Sequence, residues 1–443
     1  IPIYFFLSVF ILILYLILKI FSGSSIINLV ILSILIIINI SYFFLNHENK
    51  KSFFLIYCSS ILSIYVLNFL LIIFLTDAND VYNKKKLDVD WDIRTKIQFI
   101  NDIKKINDDN IFRHYSGSNV IRSGFFNNID KININKLHPF SNISLSTIVH
   151  CNEYGVWKHF NTDKFGFNNP IHNNFDDKRI SVSILGDSFT EGFCHDNGED
   201  IGSLIRKKNL NVMNFGKASG GLHFYEAIYR EYIKDNKIID TDFVVMNIFF
   251  TNDILDTKDE RNSKFFKKYI NDENYSQNLL ENNEEVQNLL KFFYKAINKK
   301  DILEKHPELS FLLENKNYDL EKNLIIDFIK LKELRYLIFS NLNIRLQTKM
   351  VDMFYADLDK IINRITKKHK LIIVYLPSYD ELFYKINRHS DKIFNFVQNK
   401  KNGNLMFINM YNKYKEHEID TLFPLGIPGH YSINGYEILA NEI

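Results

Sequence analysis

The amino-acid sequence predicts an α/β protein. We expect a three-layer α/β/α fold on a mainly parallel, flavodoxin-like sheet of five strands, preceded by three transmembrane helices. From Ile180 onward, short apolar runs alternate with stretches of helical apolar periodicity, which is typical of a parallel sheet covered by helices on both faces. The beginning of the chain instead contains long apolar runs without a charged residue.

Three apolar runs make up the N-terminal region, which we assign to residues 1–78. Each is close to the roughly 20 residues that a helix needs to cross a bilayer. Short polar breaks separate them, which fits three crossings better than buried core helices or a signal peptide. The runs cover residues 2–18, 26–45 and 53–76.

The charges near these runs leave the orientation open. Lys50 and Lys51 favour a cytoplasmic second loop, with the large C-terminal part outside the cell membrane. Lys19 and the cluster Lys84-Lys85-Lys86 favour the opposite orientation.

Residues 79–145 are polar, with weak helical periodicity, and we expect a linker plus an accessory segment there. The α/β domain is predicted over 146–443. Residues of about 256–350 interrupt its rhythm and predict a mostly helical insertion at the carboxyl edge of the third strand, where insertions commonly shape substrate access. The chain begins with Ile and stops within a helical pattern, which leaves open whether it is a fragment of a longer protein.

The order of predicted elements in the α/β domain is strand, helix, strand, repeated along the chain. Predicted strands cover residues 180–187, 211–216, 243–250, 371–377 and 404–410. Predicted helices cover residues 199–208, 222–235, 351–368 and 379–400.

Composition excludes one class of partner. The net charge is only +2, and the 54 Lys and Arg residues are spread along the chain instead of forming one basic stripe. This pattern argues against nucleic acid as the main partner. No metal-ligand spacing and no glycine-rich phosphate loop occurs in the insertion, and we expect neither a metal nor a cofactor.

Candidate chemistry falls at the carboxyl ends of the predicted strands, the edge at which open α/β sheets bind ligands. Gly186-Asp187-Ser188 follows the first strand, and Ser219-Gly220 lies in a turn of small residues after the second. Asn252 follows the third strand, and His430 precedes the last predicted helix. Together these residues could supply a nucleophile, oxyanion donors and a general base.

This set of motifs resembles the SGNH (GDSL-type) hydrolase and acyltransferase superfamily, over residues from about 145 to 443. The resemblance implies that Ser188 is the nucleophile and that its own N–H lies in the oxyanion hole. It further implies that Ser219 or Gly220 and the Asn252 amide complete the hole, with His430 as the base. The lead-in from Cys151 to Pro170 is similar to a segment that precedes this motif in some membrane-linked members.

The chain departs from the family pattern at the histidine. The family usually carries an Asp two or three residues before it, where this chain has Pro428 and Ile427. A backbone carbonyl or a more distant acid such as Asp420 could orient the ring, or the site could be degenerate. The glycine of the third block is also replaced, by Phe250, and Lys217 lies near the second block.

Cys151 and Cys194 are the two cysteines of the predicted α/β domain. Such a pair would suit a disulfide in an oxidising compartment, and two unrelated thiols fit the spacing equally well. A disulfide would favour placing the domain outside the cytoplasm.

The expected function is that of a membrane-anchored serine esterase or O-acyl(acetyl)transferase, in a bacterial-type inner membrane with its soluble domain in the periplasm. Its expected partners are the lipid bilayer and an acyl-ester or glycan substrate, such as an envelope polysaccharide or lipid ester. Two alternatives stand beside it. One is a catalytically degenerate glycan-binding or scaffold protein, and the other is the C-terminal part of a larger polytopic acyltransferase.

Overall fold

The computed structural model describes most of the chain beyond residue 87 and one helix before it. The described residues are 40, 44–74, 88–106, 110–129, 132–172, 175–176, 178–236, 238–297, 331, 350–385, 387, 389–400 and 402–443. They belong to two compact units, one with the apolar N-terminal helix and one with the α/β fold.

The N-terminal unit contains the helix His47–Phe74. Within it, Glu48–Leu70 has a mean hydropathy of 2.0, and its side chains are largely exposed. By length and composition this is the one helix among the described residues that could cross a membrane. It corresponds to the third predicted run. The first predicted run, 2–18, and nearly all of the second, 26–45, lie outside the described residues.

In the described part of the second unit, eight strands form two sheets. The first sheet has three short strands, β1 Ile111–Arg113, β2 Thr147–Val149 and β3 His159–Asn161. The second has five longer strands, β4 Ser181–Leu185, β5 Asn211–Asn214, β6 Phe243–Ile248, β7 Lys370–Tyr375 and β8 Leu405–Asn409.

The larger sheet has the order β5-β4-β6-β7-β8, and all four pairings are parallel. This order, in which the second strand of the sheet lies outside the first, is that of flavodoxin-like folds. Every residue of β4 is buried. Because neighbouring side chains of a strand point to opposite faces, both faces of the sheet are covered at β4. The predicted α/β class and parallel five-stranded sheet are therefore confirmed.

The smaller sheet pairs β1 with β2 in parallel and β2 with β3 antiparallel. Its three-residue strands are too short for a periodic sequence signal, and the sequence analysis missed them. β1 belongs to the predicted linker of residues 79–145. That segment also places Tyr115, Val120 and Phe140 in the main hydrophobic core. Residues 110–145 are therefore part of the globular unit, because their apolar side chains are buried against it.

Helices fill the intervals between the strands. Among the described residues outside the N-terminal unit, the α-helices are Lys96–Lys104, Gly117–Ser123, Ser188–Glu191, Ile201–Arg206, Leu222–Ile228, Phe250–Asn262, Phe266–Asn271, Asn283–Ala296, residues 350–365, Tyr379–Phe383, Ser390–Gln398, Met410–Tyr414, Ile419–Leu422 and Ile433–Glu442.

The predicted helix 379–400 is two helices in the structure. The first ends at Phe383, and Lys385 adopts a φ of 54°, which a right-handed helix of L-residues does not continue through. The predicted insertion begins as helices, including Phe250–Asn262 and Asn283–Ala296. Its remainder, residues 298–349, lies outside the described residues except for Leu331.

Candidate active site

Ser188 lies beyond the carboxyl end of β4, an interior strand between β5 and β6. The strand ends at Leu185, and a short helix begins at Ser188. Asp187 is the N-cap of that helix, and its Oδ1 accepts a hydrogen bond of 3.0 Å from the Phe189 N–H. Such a cap fixes the turn, so Ser188 is held at the first position of the helix with its N–H outside the helical bonding.

His430 approaches Ser188 from the C-terminal end of the chain. It lies just before the helix Ile433–Glu442, whose N-cap Ser432 accepts a hydrogen bond from the Gly435 N–H. His430 Nε2 is 2.8 Å from Ser188 Oγ. The two residues are separated by 242 positions, and the fold brings them to hydrogen-bond distance. This is the distance expected between a nucleophilic hydroxyl and its general base.

Glu153 lies on the other side of the imidazole. Its Oε1 is 2.9 Å from His430 Nδ1, and its Oε2 accepts a hydrogen bond of 2.7 Å from the His430 backbone N–H. Gly429 permits this approach, because a Cβ there would lie 2.4 Å from Glu153 Oε2. Asp420, the acid considered from the sequence, is exposed, and the ring nitrogens of His430 instead contact Glu153, Ser188 and Cys194. The structure therefore puts Glu153 in the position of a triad acid.

The electrostatics of this pair favour a charged complex. Partial burial works to lower the pKa of His430, but the Glu153 carboxylate outweighs it and raises that pKa above its usual value. Burial works to raise the pKa of Glu153, and the charge and hydrogen bonds of His430 outweigh it and lower that pKa. A carboxylate that stabilises imidazolium in this way assists proton removal from a serine.

The turn after β5 carries Ser219 and Gly220, the residues that the sequence predicts as backbone donors to an oxyanion. Ser219 has a φ of 65°, and its Oγ accepts a hydrogen bond of 2.8 Å from Ser116 Oγ. Neither the Ser219 N–H nor the Gly220 N–H donates a hydrogen bond to any residue that the structure describes, and the same holds for the Ser188 N–H. These three groups are available to bind a developing oxyanion.

Asn252 lies in the first turn of the helix Phe250–Asn262, beside the Ser188 turn. Its Nδ2 donates a hydrogen bond of 3.0 Å to Asp187 Oδ2. A primary amide has two N–H donors, so one remains for a substrate oxygen. Burial raises the pKa of Asp187 to about 6, and the Asn252 hydrogen bond opposes that shift.

A buried ionic cluster lies beneath the turn that carries Ser219. Glu191 accepts hydrogen bonds of 2.8 Å from the Lys217 ammonium and from the Ala218 N–H, and lies 2.8 Å from His114 Nε2. Asn142 completes it with a bond of 3.0 Å to Glu191. Because Glu191 belongs to the Ser188 helix, the cluster ties that helix to the Ser219 turn. Lys217, noted in the sequence as a departure from the family, is one of its members.

Cys151 and Cys194 form a disulfide, with their Cα atoms 5.2 Å apart. Each is also part of a group of possible metal ligands among the described residues. One group is His150, Cys151 and Cys194, and the other is Glu153, Cys194 and His430. A thiolate is needed for metal binding, and a bridged cysteine offers none. With the disulfide formed, neither group has its cysteine ligands.

Glu153 is the one site residue that the sequence analysis did not assign. A signal was present. Cys151 is two residues before Glu153, and Cys194 is six residues after Ser188. Pairing the two cysteines would bring an acid close to the serine, independently of any Asp near His430.

Comparisons with known proteins find matches among solved structures. No protein family model matches the chain, and no curated protein matches it either. Among solved structures, it is similar to a member of the lipolytic protein G-D-S-L family from Veillonella parvula DSM 2008. The two are 12% identical, with a TM-score of 0.30, and the match covers 59% of this chain and 95% of the other.

Proposed function

We propose that this chain is a membrane-anchored serine enzyme that cleaves acyl esters through Ser188, His430 and Glu153. The observation that carries the proposal is a pair of contacts on one imidazole ring. Ser188 Oγ lies 2.8 Å from His430 Nε2, and Glu153 Oε1 lies 2.9 Å from His430 Nδ1. Nucleophile, base and orienting acid in hydrogen-bond contact are the arrangement that serine acyl-transfer enzymes on unrelated folds share.

In the proposed mechanism, His430 Nε2 takes the proton of Ser188 Oγ as that oxygen attacks the ester carbonyl carbon. The N–H groups of Ser188 and of Ser219 or Gly220, with the Asn252 amide, hold the oxyanion. The intermediate then expels the alcohol, which takes the proton from His430, and leaves an acyl group on Ser188. Water or a sugar hydroxyl then attacks the acyl carbon while His430 Nε2 takes its proton. The acyl group leaves Ser188 Oγ, which takes the proton back from His430.

The helix His47–Phe74 supports the anchored part of the proposal, because Glu48–Leu70 is long and apolar enough to cross a bilayer. The disulfide supports an oxidising compartment for the site. We therefore propose that the enzyme works on the outer side of a bacterial-type inner membrane. Esters of envelope polysaccharides or lipids are the substrates that this placement favours.

A non-catalytic glycan-binding protein is the competing proposal from the sequence. It drew its support from the absence of an acid before His430. Glu153 contacts the His430 ring and backbone as that acid would, which supports the catalytic proposal over the non-catalytic one.

The test is covalent labelling of the full chain in detergent with a fluorophosphonate probe, alongside hydrolysis of p-nitrophenyl acetate. We expect both to occur in the wild type and to be lost in Ser188→Ala and in His430→Gln. His417, which is exposed, provides the matched control, and His417→Gln should retain both activities. Labelling that persists in Ser188→Ala would remove Ser188 from the mechanism. Acetyl transfer to an added oligosaccharide would then separate transferase from esterase.

A further inference from the structure

The disulfide joins the two segments that carry the acid and the nucleophile. Cys151 is two residues before Glu153, and Cys194 is six residues after Ser188. The two cysteines are 43 positions apart in the chain. The bridge is therefore a short covalent path between the loop with the acid and the turn with the nucleophile.

The bridge also contacts the catalytic base. Cys194 Sγ lies 3.6 Å from His430 Nδ1, the same nitrogen that Glu153 binds. The Cys194 N–H donates a hydrogen bond of 2.7 Å to His150 Nδ1, which fixes the residue that carries this sulfur. The disulfide thus packs against the Glu153–His430 hydrogen bond.

Glu153 needs such support because of where it lies. It belongs to the loop between β2 and β3, and its side chain has more rotatable bonds than that of the Asp that the family uses. Its other supports are hydrogen bonds on both sides. The Asp92 N–H donates a bond of 2.7 Å to the Gly155 carbonyl, and the Lys158 N–H donates one of 2.8 Å to the Cys151 carbonyl. On the N-terminal side, the bridge at Cys151 is the covalent restraint. Catalytic groups must be held to within about 0.5 Å.

We propose that the Cys151–Cys194 disulfide positions Glu153 against His430, so that the turnover rate depends on the bridge. Cys151 and Cys194 are positioning residues and take no part in the chemistry. The proposal rests on the proposed function for its kinetic readout. It does not depend on that function for its second readout, the protonation of His430.

The effect on His430 has a defined sign. Glu153, Asp187 and Glu191 are the charged groups that act on the ring, beside the uncharged Ser188 hydroxyl and the bridge sulfur. Glu153 is the carboxylate in direct contact with the ring. Loss of that contact leaves burial as the main influence, so the pKa of His430 falls.

The experiment compares the full-length chain in detergent with and without the bridge, in two backgrounds. The first background is the wild type and the second is Glu153→Gln, and the bridge is removed by replacing both cysteines with alanine. In the wild-type background we expect kcat for p-nitrophenyl acetate to fall about 10²-fold, with KM changed less than about twofold. In Glu153→Gln the same replacement should change kcat less than about twofold, because the contact is already lost.

Equal losses of kcat in both backgrounds would show that the bridge acts on stability alone and would overturn the proposal. An unchanged kcat in the wild-type background would overturn it as well. If the bridge-free variant does not fold, dithiothreitol applied to folded wild type replaces the mutation. It donates two electrons and two protons to the bridge, giving two thiols and the cyclic disulfide of the reagent.

The second readout is the pH midpoint at which diethyl pyrocarbonate modifies His430, measured by peptide mass spectrometry. We expect removal of the bridge to lower this midpoint in the wild type and to leave it unchanged in Glu153→Gln. An unchanged midpoint in the wild type would overturn the positioning role. If Ser188-dependent hydrolysis is absent, the proposed function fails, and the midpoint still decides whether the bridge positions Glu153.

Discussion

His430 is contacted on both ring nitrogens by residues that are far from it in the chain. Ser188 lies at Nε2, and Glu153 lies at Nδ1 and at the backbone N–H. In the family that the sequence resembles, an acid lies just before the histidine, where this chain has Pro428 and Ile427. The acid that contacts the His430 ring here is Glu153, 277 positions away, and geometry, not chain order, defines the triad that we propose.

Glu153 and Asp420 are the two candidates for the acid that orients His430, and replacing each of them in turn distinguishes the two. Glu153→Gln should lower kcat by about 10²–10⁴-fold, since the amide cannot stabilise imidazolium and favours the wrong tautomer. Asp420→Asn should leave kcat unchanged, because Asp420 is exposed and does not contact the ring. Steady-state ester hydrolysis by the two purified variants checks this. The reverse order of effects would return the role to Asp420.

The pH dependence of the reaction follows from the raised pKa of His430. The base must be neutral to accept the serine proton, so kcat/KM should rise with pH through the His430 pKa, above the usual value of about 6.5. In Glu153→Gln the pKa falls, and the rising limb should move to lower pH. A rising limb at the same pH in both proteins would contradict the assigned contact.

The same shift affects stability with a definite sign. The folded pKa of His430 exceeds its unfolded value, so the folded state binds the proton more tightly. The stabilisation is complete below the unfolded pKa and is lost as the pH rises through the folded pKa. The contact that assists catalysis therefore stabilises the protein least at the pH where the base is active.

Two neighbouring elements must approach closely for the site to form. The turn after β5 packs against the Ser188 helix at Gly216, where a Cβ would lie 2.4 Å from the Glu191 backbone nitrogen. The Glu191 cluster holds the same two elements together through Lys217 and Ala218. The close backbone contact at Gly216 and the buried ion pair of Lys217 with Glu191 therefore hold the turn after β5 against the Ser188 helix.

Gly216→Ala tests this approach. The added methyl group has no room against the backbone of Thr190 and Glu191, so we expect a loss of at least about 1–3 kcal/mol in the free energy of unfolding, with reduced kcat. Gly403 is the matched control, since nothing lies within 4 Å of its Cβ position. Gly403→Ala should change stability by less than about 0.5 kcal/mol. Chemical denaturation in detergent compares the two, and equal stabilities would refute the packing argument.

At the scale of the whole molecule, the chain combines an apolar helix with an α/β unit. The segment Glu48–Leu70 exposes large hydrophobic side chains along its length, including Leu55, Leu62 and Phe69. Such a surface is costly in water and favourable in hydrocarbon. It is the physical basis for expecting the protein to be membrane-bound.

Extraction of membranes with alkaline carbonate tests that expectation. An integral protein stays in the pellet, because its helix is buried in the bilayer and is not held by charge. We expect the full chain to remain with the membranes. Release into the supernatant would mean that the protein is bound only peripherally, and would remove the anchor from the proposed function.

The five strands of the main sheet and the order of the candidate residues along them could be predicted from the sequence. Periodicity is a local property, and the carboxyl ends of parallel strands meet at one edge of a sheet. The sequence therefore predicts that Ser188, Ser219 or Gly220, and Asn252 lie near one another. His430 followed from the resemblance to a known family. The apolar helix His47–Phe74 was visible for the same local reason.

The acid that contacts His430 could be identified only from the folded chain. The Glu153 contact depends on how the β2–β3 loop packs, and no periodic pattern encodes a pairing across 277 positions. The small sheet escaped prediction because three-residue strands carry no period, and its partner segment 110–145 is polar enough to resemble a linker. The Gly186-Asp187-Ser188 motif is a short local pattern that can be seen in the sequence. The contact between Glu153 and His430 exists only once the chain has folded.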